Sequence, residues 1–167
     1  MCSIQMLPTT DHSSVSEVAA VTDAVLTASR ALVAVAARSL ASVDTEVTLP
    51  QYRALVVLAS HGPQHVGELA EALGVHPSTA TRLCDRLVTK KLVRRAVSRG
   101  NRRETTISLS DEGRQIVDEV TAIRRAEIER IVGRIPAELR EPTVAALAAF
   151  SEAAGERADR AWTLGWS

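Results

Sequence analysis

Apolar residues recur at helical spacing over most of this chain and switch to alternation in one short stretch. From about Ser16 to Ala41 there is no Gly or Pro. Val18, Val25 and Leu32 lie seven apart there, as do Val21, Ala28 and Val35, the seam of a long helix packed on other helices. A core helix within one subunit would show the same spacing. After a polar connection at 42–47, Thr48-Leu49-Pro50-Gln51 forms a capping box, with Gln51 three positions beyond the cap. The helix it opens carries Tyr52, Leu55, Val56 and Leu58, and Ser60-His61-Gly62-Pro63 closes it. Leu69, Ala70 and Leu73 supply the face of a short helix stopped by Gly74, which takes a left-handed conformation without a Cβ clash. Pro77 suits the first turn of the next helix, whose buried face is Ala80, Leu83 and Leu87.

Alternation then takes over. Leu92-Val93 and Thr105–Leu109 read as strands joined by a turn at Gly100-Asn101, and Gln64-His65-Val66 can add a third. Ser110 caps a further helix whose first-turn acids, Asp111 and Glu112, suit the positive end of its dipole. That helix runs to about Gly133, Ile135-Pro136 breaks it, and a last helix carries Leu139, Val144, Leu147 and Phe150. Beyond Gly155, Trp162 and Trp166 are expected to be buried against the long helices or a partner subunit. Residues 1–15 are expected to be mobile.

The stretch 64–110 is thus a helix-turn-helix followed by a β-hairpin wing, and its expected partner is double-stranded DNA. The second helix turns Ser78, Thr79, Thr81, Arg82 and Arg86 away from its apolar face. Small hydroxyls behind Pro77 let a helix enter a major groove, and arginines one turn later reach base edges or phosphates. Ser78, Thr79, Thr81 and Arg82 are the expected base readers. Arg99, Arg102 and Arg103, near the wing tip, suit a narrow minor groove. Lys90, Lys91, Arg94 and Arg95 are read as phosphate contacts or structural ion pairs. An ordinary surface helix could share the polar face, but it would not be followed by a wing.

Charge distribution strengthens this reading. The net charge is zero, yet Arg82–Arg103 holds nine basic residues and one acid, Asp85, a basic stripe suited to phosphates. The 167 residues suffice for one domain with a real core. With only Tyr52, Phe150, Trp162 and Trp166 as aromatics, that core is built from Ala, Val and Leu. No stretch reads as a membrane span or signal peptide, so the expected location is cytoplasmic, without a membrane partner. Cys2 and Cys84 imply no disulfide framework. His12, His61, His65 and His76 lack metal-ligand spacing, so no metal site is expected. No nucleophile motif or phosphate loop marks an enzyme.

Three segments together resemble the MarR family of bacterial transcription regulators (multiple antibiotic resistance regulators): LPQYRALVVLA at 49–59, VGELAEALGVHPSTATRLCDRLVTKKLVRR at 66–95 and NRRETTISLSDEGR at 101–114. The resemblance implies a mostly α fold with a small β-hairpin wing, in which the first and last helices of two subunits interleave. The implied divisions are an N-terminal dimerisation helix and linker at 16–47, a winged helix-turn-helix domain at 48–110 and C-terminal dimerisation helices at 111–167. It also implies a homodimeric repressor on a pseudopalindromic operator, without a cofactor but released by a small aromatic or phenolic effector. Tyr52, Arg53, His12 and His61 are the effector-site candidates, although Tyr52 equally suits packing and Arg53 an ion pair. The family's wing carries an aspartate where this chain has Asn101, which removes a possible bracing ion pair. Two alternatives stand beside this reading: a winged helix that binds protein rather than DNA, and a thiol-based redox sensor. For the latter, Cys2 lies before the first helix and Cys84 is expected to be a buried packing residue.

Overall fold

The computed structural model describes residues 12–43, 46–97 and 105–156. Its elements are α1 (His12–Ala41), α2 (Leu49–His61), β1 (Gln64–His65), α3 (Val66–Leu73), α4 (Pro77–Thr89), β2 (Val93–Val97), β3 (Thr105–Leu109), α5 (Asp111–Val132) and α6 (Ala137–Ala153). The fold is mostly helical with one small antiparallel sheet, as expected. Helix α1 starts earlier than its apolar seam indicates, already at His12.

Local chemistry fixes most boundaries. At the start of α2 the backbone N–H of Thr48 donates to Gln51 Oε1 at 3.1 Å, the capping-box bond expected from the sequence. Gly62 ends that helix at φ 77°, a left-handed value that costs glycine little. Ser110 Oγ accepts the Gly113 N–H at 3.0 Å and starts α5. The sheet order is β1-β3-β2, with Val93 opposite Leu109, Arg95 opposite Ile107 and Gln64 opposite Ile107.

The core lies where α2, α3, α4, the sheet and the first half of α5 meet. Leu55, Leu58, Leu69, Leu87, Ile107, Val117 and Val120 are buried there. Only the C-terminal end of α1 joins it. Val35, Ser39 and Leu40 are buried, α1 packs along α5, and Arg38 pairs with Glu127. Most of the rest of α1 is solvent-exposed, with Val15, Val18, Val21, Leu26 and Leu32 all more than half exposed and Val25 half-buried. Helix α6 has no buried residue at all, and Leu139, Val144, Leu147 and Phe150 stand open.

Within α1, the stretch Val15–Ala41 is long and apolar enough by length and composition to cross a membrane. Glu17, Asp23, Arg30 and Arg38 interrupt its apolar run, so the residues alone do not present it as a span. The buried end of α1 packs against protein rather than standing free, as a bundle helix does.

Candidate nucleic-acid interface

Two turns aim α4. At the first, Gly74 adopts φ 64° and ψ 34°, and Val75 N–H reaches back to the Ala70 carbonyl at 3.0 Å, a pattern that closes α3 and reverses the chain. Pro77 then occupies the first turn of α4. At the far end, Lys91 N–H bonds to Val88 O at 2.9 Å and Leu92 N–H to Leu87 O at 3.0 Å. Lys91 sits at φ 61° in that turn, the only described non-glycine residue with positive φ. The helix is clamped along one side by Ala80, Cys84 and Leu87, each fully buried. Ser78, Thr79, Thr81, Arg82 and Arg86 are all exposed, so the five expected α4 contacts are brought together on one open surface.

The basic residues after α4 divide. Arg94 and Arg95 lie within β2 rather than on the wing tip, and each is held by an acid. Arg95 reaches Asp85 of α4 at 2.8 Å, and Arg94 reaches Asp111 of α5 at 2.9 Å. These pairs tie the wing's base to both neighbouring helices, and being exposed each is worth only ~0.2–1 kcal/mol. Lys90 Nζ donates to the Glu46 carbonyl at 2.5 Å, whereas the Lys91 side chain is exposed. Arg99, Arg102 and Arg103, with Asn101, fall outside the described residues, as do Cys2, Trp162 and Trp166.

The cap of α4 carries a feature that sequence reasoning missed. Its residue is His76, whose Nδ1 accepts the Ser78 N–H at 3.3 Å and lies 2.9 Å from Ser78 Oγ. The signal in the sequence is its position immediately before a helix-opening proline, where side-chain acceptors cap.

The effector candidates separate. Arg53 and His61 line one cleft of about 390 Å³ among α2, α3 and the end of α6. Arg53 is paired there with Glu156 at 2.9 Å, and His61 Nδ1–H donates to its own helix at Val57 O, 3.1 Å away. Tyr52 is not in that cleft. It is buried, its hydroxyl lies 3.3 Å from Thr121 Oγ1, and the Arg124 guanidinium sits 5.3 Å from its ring centre. Arg124 Nε is itself buried with no hydrogen-bond partner. Sequence reasoning missed this residue, because nothing local links α5 to Tyr52. The side chain of His12 lies outside the described residues.

Cys84 is fully buried. Burial pushes its thiol up, and the nearby Arg95 offsets this only in part. Such a thiol is a poor nucleophile at neutral pH. Among the described residues no three His, Cys, Asp or Glu side chains cluster as a metal site would need.

Comparison with known proteins agrees with this geometry. The model of the MarR family matches residues 45–104. The repressor MdtR of Bacillus subtilis is 40% identical over 84 residues, half of this chain, and the chain spans about half (54%) of that relative's length. The crystal structure of RV1404 from Mycobacterium tuberculosis superposes with a TM-score of 0.79 at 48% identity, covering 86% of this chain and 97% of that one. A MarR family protein from Bacillus stearothermophilus shares the fold, with a TM-score of 0.75 at 23% identity over 84% of this chain and 97% of its own. The helix-turn-helix, the three-stranded wing sheet and these likenesses agree, and the chain belongs to the MarR family of transcription regulators.

Proposed function

We propose that this protein is a transcriptional repressor that binds a pseudopalindromic operator as a homodimer and releases it when a small molecule binds. The carrying observation is the α4 surface. Its buried face is locked to the core, while the hydroxyls of Ser78, Thr79 and Thr81 and two arginines stand together in the open. The name of the B. subtilis relative supports repression over activation. As a regulator of the bacterial type, it would meet its DNA in the cytoplasm.

The homodimer reading rests on unused apolar surface. Exposed Val and Leu along α1, with Leu139, Leu147 and Phe150 of α6, form an apolar surface that one subunit leaves uncovered, and such surface marks an interface. Two copies present two α4 helices, which suits half-sites about one turn of DNA apart (roughly 10 bp). The effector reading puts a small anionic or aromatic molecule in the cleft at Arg53 and His61. A ligand taking Arg53 from Glu156 would loosen the end of α6 from the DNA-binding domain.

Fluorescence anisotropy tests the central reading. Purified protein is titrated onto DNA from immediately upstream of its own gene, with unrelated DNA as control, over a range of salt. Preference for the upstream DNA and a steep loss of affinity with salt are expected. Equal, weak binding to upstream DNA, unrelated DNA and a library of randomised duplexes would favour a protein-binding winged helix instead.

A further inference from the structure

Two hydroxyl hydrogens on the α4 surface are already committed inside the protein. Nδ1 of His76 accepts the Ser78 backbone N–H at 3.3 Å. A backbone N–H only donates, so this nitrogen presents a lone pair and carries no proton. The Ser78 hydroxyl, 2.9 Å from the same nitrogen, must therefore be the donor of that contact. Thr81 Oγ1 lies 2.9 Å from the Pro77 carbonyl oxygen, which only accepts, so its hydrogen is also turned inward. What both exposed oxygens retain for a ligand is lone pairs.

We propose that Ser78 and Thr81 read DNA as hydrogen-bond acceptors only, with His76 as the positioning residue that fixes this polarity at Ser78. The inference rests on the DNA-binding reading above. In the major groove adenine and cytosine present amino groups, N6 and N4, where guanine and thymine present carbonyl oxygens, O6 and O4. A lone pair meets an amino hydrogen favourably and a carbonyl oxygen with repulsion. Each base facing one of these hydroxyls is therefore adenine or cytosine on the contacted strand. That division runs across the purine–pyrimidine one and across the A·T versus G·C one, so it is recognisable. Arg82 and Arg86, which can only donate, read the opposite set, above all guanine O6 and N7.

Selection from duplexes with randomised half-sites tests this, using the full-length wild type and its Ser78→Ala, Thr81→Val, His76→Ala and His76→Ala/Ser78→Ala variants. In the wild type, the positions whose preference Ser78→Ala or Thr81→Val abolishes should favour A or C over G or T on one strand by about five- to tenfold. His76→Ala frees the Ser78 hydroxyl to donate as well as accept. The split at the Ser78 position should fall to about twofold or less, with the Thr81 position unchanged. In the Ser78→Ala background, removing His76 should change no position further. A residue that merely capped the helix would weaken every position together and leave the split intact, which would overturn the role of His76. Preference for G or T at these positions, or no position lost in either hydroxyl variant, would overturn the acceptor reading. A wild type that selects no sequence at all would instead sink the DNA-binding reading, and this inference with it.

Discussion

Gly113 offers the sharpest test of the packing that holds the wing to α5. A Cβ added there would stand 2.1 Å from the Leu92 carbonyl oxygen and 2.9 Å from Leu109 Cδ1. A leucine methyl can rotate aside, but the carbonyl cannot. Leu92 O accepts the Ser110 N–H at 3.1 Å, and Leu92 N–H is pinned to Leu87 O at 3.0 Å. Relief must come from sliding the first turn of α5 outward by about 1 Å, the distance needed to restore an ordinary contact. That movement stretches both the Ser110–Leu92 bond and the Ser110 cap on Gly113. Overpacking of this kind costs about 1–3 kcal/mol. The weakened bond and cap add about 1–2 kcal/mol, and alanine's better helix propensity returns up to ~1 kcal/mol. Gly113→Ala should therefore destabilise by about 1–5 kcal/mol, a large share of a typical domain's stability. Urea unfolding followed by circular dichroism, at one fixed protein concentration because the midpoint of the proposed dimer depends on it, measures the change. Gly67→Ala is the matched control. That glycine lies in α3, its φ is not positive, and a methyl group there would meet no atom within 4 Å, so alanine should stabilise by about 0.5 kcal/mol. A Gly113→Ala midpoint within experimental error of wild type would refute the claim that the Leu92 carbonyl is immovable.

Other variants separate the roles along α4 and the wing. Lys91→Gly removes the left-handed strain at φ 61°, so thermal unfolding should show a gain of about 1 kcal/mol, while DNA affinity falls on all sequences and the salt slope drops by about one. Arg82→Ala should act differently, relaxing preference at one base position by ~1–3 kcal/mol with other positions unchanged; identical binding profiles for the two variants would defeat the division between phosphate and base contacts. The raised Cys84 thiol predicts negligible labelling by a thiol reagent at neutral pH in native protein and full labelling in urea. The sign of its linkage is also fixed. Because folding holds the thiol above its ordinary 9.0, its contribution is fully present below that pH and is lost as pH rises through the folded value. Cys84→Ala should show a shallower decline in stability above pH 9.0 than wild type does, and an unchanged slope would show that the thiol is not the titrating group.

The sequence by itself determined whatever depends on near neighbours in the chain. Thr48 with Gln51, Gly74 before a proline, and Ser110 ahead of two acids each specify a helix end within four residues, because caps satisfy backbone groups one turn away. The same locality made the exposed α4 face legible from its 3.6-residue period, and the alternation at Thr105–Leu109 identified the wing strand. Only the tertiary structure decided matters that join distant segments or turn on the direction of one bond. It placed Arg94 and Arg95 in ion pairs with Asp111 and Asp85, put Arg53 and His61 around one cleft while burying Tyr52 under Arg124, and brought the Leu92 carbonyl against Gly113. It also set Ser78 Oγ 2.9 Å from His76 Nδ1. A sequence names the hydroxyls on a helix face, but their polarity toward a ligand depends on which acceptor takes the hydrogen, and that is settled by geometry to within a few tenths of an ångström.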